Sequence, residues 1–143
     1  MKTLTRNIIM VAVMLLAMGT SKAVAQDLRD ANYNIVGKIA ANGTVRNINY
    51  DPIGYFNADG TITNGKGKTV GRIDGKMQIF NKEGERIGYI TSDGTVNNGE
   101  SKLLGNIDIQ SGKVASPTGE VLGYANGIPL QRVAAYYFFD FFK

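Results

Sequence analysis

Three tyrosines, Tyr55, Tyr89 and Tyr124, recur at nearly even intervals, each directly after a glycine. Exposed aromatic rings in such a series suit stacking on sugar rings, so they are candidate ligand-binding residues. Two aspartates, Asp59 and Asp93, recur 34 residues apart, and a carboxylate pair can hydrolyse a glycoside without histidine. Each reading has a plainer rival. Asp59-Gly60 and Asp93-Gly94 are hairpin dipeptides, in which turn geometry already calls for aspartate, and tyrosines can pack between hairpins with the hydroxyl at the surface. No catalytic residue is assigned on this basis.

Composition removes most other chemistry. The chain has no histidine, cysteine or tryptophan, so Ser-His-Asp and Cys-His nucleophile systems and the usual zinc sites are excluded. Asp51, Asp74, Asp108 and Asp140 are too scattered for a calcium loop. The run Gly65-Lys66-Gly67-Lys68-Thr69 looks like a phosphate loop but opens no helix, and reads as a loop between hairpins. No metal and no cofactor is expected.

The elements that must carry these residues show in a repeat. Gly37, Gly54, Gly71, Gly88, Gly105 and Gly123 each follow an aliphatic residue, at spacings of 17, 17, 17, 17 and 18. A fixed period of this kind means one small supersecondary unit in tandem, each copy burying what its neighbour cannot. Counting from the glycine as position 0, position +2 holds Ile39, Phe56, Ile73, Ile90, Ile107 and Ala125, and position +8 holds Val45, Ile62, Ile79 and Val96. Between them stand Asn42-Gly43, Asp59-Gly60 and Asp93-Gly94, which predict type I′ hairpin turns and make Gly43, Gly60 and Gly94 turn glycines. Met77-Gln78 replaces that dipeptide in the third copy. A second turn closes each unit, at Asn64-Gly65, Glu83-Gly84, Asn98-Gly99 and Thr118-Gly119.

Each copy is therefore two short strands, and glycine and asparagine are too dense for a helix within the repeats. The bare position 0 predicts another backbone passing close by. Position +1 alternates tyrosine with Lys38, Arg72 and Asn106, a superimposed two-copy period. Five full copies and a degenerate sixth, breaking down at Pro129, favour a closed ring over an open solenoid because closure removes sheet edges. The fold class read here is all-β: tandem hairpins of about 17 residues arranged as a ring or flower.

The [VIL]-G-x-[IF]-x-x-[DN]-G-T-[VI] copies from Val36 onward, the Ala-Val-Ala-Gln export signal and the aromatic tail resemble a secreted Bacteroidetes family, the five-fold β-flower proteins. That resemblance implies a small β-hairpin ring and no established activity.

The two ends read differently. Lys2 and Arg6, the apolar run Ile8 to Met18, and Ala23-Val24-Ala25 before Gln26 have the layout of a signal peptide over residues 1–25, with export to the periplasm or the cell exterior. Lys2, Arg6 and Lys22 leave with it, so the remaining 118 residues carry 13 Lys+Arg against 12 Asp+Glu. Such a balance gives no footprint for nucleic acid, and the mature chain keeps no transmembrane span. Residues 26–34 read as a linker and 35–132 as the repeat domain. The tail, 133–143, holds Tyr136, Tyr137, Phe138, Phe139, Phe141 and Phe142. It reads as a lid packed on the ring, with a homo-oligomer or envelope contact as the alternative. The functional expectation is a non-catalytic structural or interaction module, with an envelope glycan-binding module as the rival and a histidine-free glycosidase as a distant third.

Overall fold

The computed structural model describes residues 26–143, so the segment read as a signal peptide lies outside the described residues. Turn-bounded runs of β-branched residues give twelve strands of three to five residues. They are β1 (Gln26–Asp30), β2 (Ile35–Ile39), β3 (Thr44–Asn47), β4 (Pro52–Phe56), β5 (Thr61–Asn64), β6 (Thr69–Ile73), β7 (Gln78–Asn81), β8 (Arg86–Ile90), β9 (Thr95–Asn98), β10 (Leu103–Ile107), β11 (Lys113–Ala115) and β12 (Val121–Tyr124). Every strand pairs antiparallel with its neighbours in sequence, and β12 pairs with β1 through Arg29↔Tyr124 and Asp30↔Gly123. The sheet is a closed ring of six hairpin petals, as the repeat predicts.

The sixth petal is composite. Residues 26–34, expected to be a linker, instead form β1 and its turn into β2, and β1 completes the petal begun by β12. The reason is a hidden copy of the repeat. Leu28, Arg29 and Tyr33 stand 17 residues before Val45, Arg46 and Tyr50, and Leu28 lies opposite Gly37 as Val45 lies opposite Gly54.

The turns also differ from expectation. A type I′ turn needs positive φ at both central residues, yet only the glycine of each Asx-Gly pair has it: 96° at Gly43, 93° at Gly60 and 96° at Gly94. In each, the first turn residue's N–H donates to the carbonyl four residues on, and its carbonyl accepts from the N–H three on, as in Asn57 with Thr61 and Gly60. That is a three-residue loop, a type I turn closed by a left-handed residue. Four such turns, after β2, β4, β6 and β8, and a loop one residue longer after β10, from Asp108 to Lys113, make one rim, here called proximal. The distal rim holds the turns after β1, β3, β5, β7, β9 and β11. There the left-handed residue is Tyr33, Tyr50, Gly67, Gly84, Ser101 or Gly119, and Met77 takes the role on the proximal rim. In five of the six distal turns an Asp or Asn carboxyl or amide oxygen accepts two turn N–H groups; Asn64 takes those of Lys66 and Lys68.

The aliphatic residue before each repeat glycine sits in a β-bulge. Val45 pairs with Gly54 and Arg46 with Pro52, leaving Ile53 without a partner. Val36, Val70, Ile87, Leu104 and Leu122 are skipped in the same way. A bulge bends its strand and increases local twist, and six of them let short strands curl into a complete ring. The bulged residues pack against the core from its margin.

After β12 the chain passes Gly127 and Pro129 into α1 (Leu130–Phe138). Gln131 and Arg132 line a pocket with proximal-turn residues Asn57, Gly60 and Asp74. Val133, Ala134 and Ala135 are at most 1% exposed, within the same core as Val45, Ile79 and Val114. The helix thus starts at the proximal rim and threads the axis. Its nine residues span roughly 14 Å at the usual rise, about the length of a five-residue strand. Small Ala134 and Ala135 suit a crowded axis, as in other β-cans built around a central helix.

Candidate functional site

Sequence gives the repeat glycines a close neighbour, and the structure names it. The neighbour is twofold: a cross-strand carbonyl, and an aromatic ring from the tail rather than the expected second backbone alone. A Cβ placed on Gly88 would lie 2.6 Å from Phe139 Cε1 and 2.7 Å from the Asn97 carbonyl. One on Gly105 would lie 2.7 Å from Phe138 Cε1, and one on Gly123 2.6 Å from Tyr137 Cε1. Phe141 covers Gly71 and Phe142 covers Gly54 in the same manner. Tyr137, Phe138, Phe139, Phe141 and Phe142 therefore take the sixth, fifth, fourth, third and second petals in strict order, the tail stepping backwards around the ring one glycine at a time.

Tyr136 stands between Tyr137 and Phe142, at 5.0 and 6.4 Å between ring centroids, and completes the aromatic circle. Gly37 of the first petal has Leu28 Cδ1 against it instead. Glycine is required at these positions because any Cβ would stand where a ring or a carbonyl already is. The tail is thus the lid the sequence suggests, and its rings are the missing side chains of the petals.

Tyr137 also fastens the seam where β1 meets β12. Its hydroxyl donates to the Arg29 carbonyl at 2.7 Å and lies 3.3 Å from the Tyr124 carbonyl, and burial pushes its ionisation well above the ordinary phenol range. Tyr137→Phe is expected to lower stability by about 1 kcal/mol, read as a drop in denaturation midpoint with unchanged slope.

The turn glycines do a second job. Gly43, Gly60 and Gly94 have positive φ, and their carbonyls each accept the N–H of the next petal's core residue, Phe56, Ile73 and Ile107, at 2.8 Å. A Cβ there would strike that residue's own carbonyl, so at these three turn glycines the close neighbour is backbone, a contact that the sequence reading placed only at the repeat glycines.

The tyrosine series is not brought together. Tyr55, Tyr89 and Tyr124 lie on β4, β8 and β12, four strands apart in both directions around the closed ring. Each is half-buried and faces outward between inward-facing neighbours. Tyr89 carries the Arg86 guanidinium 5.1 Å above its ring. Tyr124 alone joins an aromatic pair on the wall, edge-on to Tyr33 at 5.0 Å. The signal that sequence reading passed over is Arg29-x-x-x-Tyr33 and its repeat Arg46-x-x-x-Tyr50. In both, the guanidinium stacks on the tyrosine, at 4.4 and 5.2 Å, and donates to its carbonyl at 2.9 Å.

The aspartate pair serves its turns. Asp59 accepts from the Thr61 hydroxyl at 2.6 Å and its N–H at 3.0 Å, and Asp93 accepts from the Thr91 hydroxyl and the Thr95 N–H. Those hydrogen bonds hold both carboxyls below the ordinary range. A glycosidase acid needs the opposite shift. Asp108 is lowered by the Ser111 and Gln110 N–H groups. For Asp74, burial pushes upward but the Gln78 and Lys76 N–H groups outweigh it. In all four the folded state favours the carboxylate, so their stabilisation is complete above the unfolded value near 3.8 and is lost as pH falls through the lower folded values. The melting temperature should therefore stay level from neutral pH to about 5 and fall below about 4, as a calorimetric pH series would record.

Among the described residues no three His, Cys, Asp or Glu side chains group as metal ligands, and no helix is long and apolar enough to cross a membrane.

A ring of tandem hairpin petals closed by the pairing of β12 with β1 is the architecture that the β-flower resemblance implies. The chain belongs to the family described as 5-fold beta-flower protein, whose model matches residues 17–142. Five of its petals are continuous in sequence and the sixth is the composite of β12 and β1. Comparison with curated proteins gives no match, and comparison with solved structures gives none.

Proposed function

We propose that this protein is an exported, non-catalytic module that works as a rigid interaction platform, its outer wall being the working surface. The observation that carries this reading is the filled axis. Helix α1 and the tail rings occupy the space that a ring of twelve strands would otherwise offer to a ligand, and the grooves among the described residues include shallow ones on rim and wall of about 150 to 280 Å³. The candidate carboxylates are engaged by turn N–H and hydroxyl groups, without the raised acid that glycoside cleavage uses. The tail rings point into petal seats, so an oligomer contact is not needed to hide them.

Export is supported by the Ala23-Val24-Ala25 site and by the resemblance to secreted Bacteroidetes proteins. Gln26, the residue after that site, already pairs with Ile39 as the first residue of β1. Removal of residues 1–25 would leave every strand intact, whereas cleavage further in would open the seam. Amino-terminal sequencing of the protein recovered outside the cytoplasm should read from Gln26. Incubation with a panel of glycosides and esters should give no turnover from the folded protein. Turnover abolished by Asp93→Asn, with the fold intact, would overturn the non-catalytic reading.

A further inference from the structure

The charge balance of the described chain is close to even, yet its placement is not. Among the twelve acidic residues only Asp27 and Asp30 lie in strands, whereas Arg29, Lys38, Arg46, Arg72, Arg86 and Lys113 all do. Carboxylates gather on the turns of the two rims, and cations gather on the wall between them.

On one sector the cations and tyrosines form a continuous strip across the seam. Lys113 on β11 pairs in register with Tyr124 on β12, and Tyr124 with Arg29 on β1. Arg29 stacks on Tyr33, which meets Tyr124 edge-on. Lys38 on β2 follows, opposite Arg46 on β3, which stacks on Tyr50. Asp27 is the one carboxylate ion-paired to the strip among the described residues, at 3.1 Å from Arg29 and 2.9 Å from Lys38. Tyr33 and Tyr50 are 59% and 57% exposed, on neighbouring distal turns. A groove of about 180 Å³ runs beside Tyr33 and Tyr124 and reaches Ser111 and Asn126.

We infer that this seam strip binds an acidic polysaccharide, a chain of sugar rings bearing carboxylate or sulfate groups. The inference rests on the interaction-module reading and names its ligand. The two stacked Arg–Tyr units sit on adjacent hairpins, two strands and so about 10 Å apart by strand spacing, a step comparable to one disaccharide. Each tyrosine offers an apolar face to a sugar ring. Arg46 uses one guanidinium N–H on the Tyr50 carbonyl and keeps others for a planar anion, which arginine grips in a bidentate fork. Stacking holds that fork in place, so little side-chain freedom is lost on binding. Asp59, Asp74, Asp93 and Asp108 on the proximal turns repel a polyanion from that rim and keep it toward the distal end of the wall.

The test is affinity electrophoresis through gels containing polygalacturonate or a neutral galactan, with titration calorimetry for affinity. The protein should be retarded by polygalacturonate alone. Lys38→Gln combined with Arg46→Gln should weaken binding about ten-fold or more. Tyr50→Gly should weaken it too, and because Tyr50 has φ of 69°, glycine there relieves the backbone and keeps the fold. Arg72→Gln combined with Arg86→Gln, on another sector of the wall, should leave binding unchanged. No retardation, equal loss from the two sectors, or equal retardation by the galactan would overturn the seam site while leaving the module reading standing. Shortening of the polymer would instead overturn the non-catalytic reading.

Discussion

Truncation after Ala135 is expected to leave the protein without a cooperative fold. The eight residues removed carry all six tail aromatics, five of which fill the places of absent side chains on Gly54, Gly71, Gly88, Gly105 and Gly123. Removing one well-buried phenylalanine costs about 3–5 kcal/mol, and a domain of this size has about 5–15 kcal/mol in total. Loss of the whole whorl exceeds that. Circular dichroism should lose its cooperative thermal transition, and exchange of backbone amides should become uniformly fast. A truncated protein melting like its parent would show that the petals hold together without their rings.

The second large effect is local to one seat. Gly88→Ala puts a methyl group 2.6 Å from Phe139 Cε1 and 2.7 Å from the Asn97 carbonyl. Phe139 is 7% exposed and packed beside Phe141 at 6.4 Å, so the ring has little room to retreat, and the carbonyl belongs to a paired strand. Overpacking of this kind is expected to cost about 3 kcal/mol. Gly75→Ala is the matched control, since a Cβ there meets nothing within 4 Å and its φ is not positive. It should be neutral, or stabilising by about 0.5 kcal/mol. Combining Gly88→Ala with Phe139→Leu should cost less than the two changes summed, because the smaller side chain vacates part of the seat.

Much of this architecture is legible in the sequence. The 17-residue period fixes the petals, and the alternation of Gly37 and Ile39 with Lys38, and of Val45 with Arg46, tells which side faces inward. Closure follows from the copy number. The occupant of the bare positions does not follow from the period, because Phe139 lies 51 residues from Gly88 and no local pattern ties one ring to one glycine. β1 is masked for a related reason: its copy lacks the aliphatic-Gly pair that marks the others, and only Leu28, Arg29 and Tyr33 echo the next copy. The turn type is obscured because Asp-Gly suits both a two-residue loop and a three-residue loop, and only the strand register, Phe56 opposite Ile62 and Tyr55 opposite Thr63, shows which one is used. The tyrosine series is legible as a period of two petals, which is also why it fails as one site: on a six-petal ring that period spreads three residues as far apart as they can be. The seam strip joins residues from the two chain ends, which only ring closure brings side by side.

The seating of tail rings on petal glycines is read most directly by proton chemical shifts. A ring against a glycine displaces its inward Hα by ring current, so Gly54, Gly71, Gly88, Gly105 and Gly123 should each show one Hα moved well away from its ordinary shift, and Gly37, with Leu28 against it, should not. In Phe139→Leu the Gly88 Hα should return to an ordinary position while the other four keep theirs. Ordinary shifts at all six glycines, or a Gly88 signal indifferent to Phe139→Leu, would contradict the account.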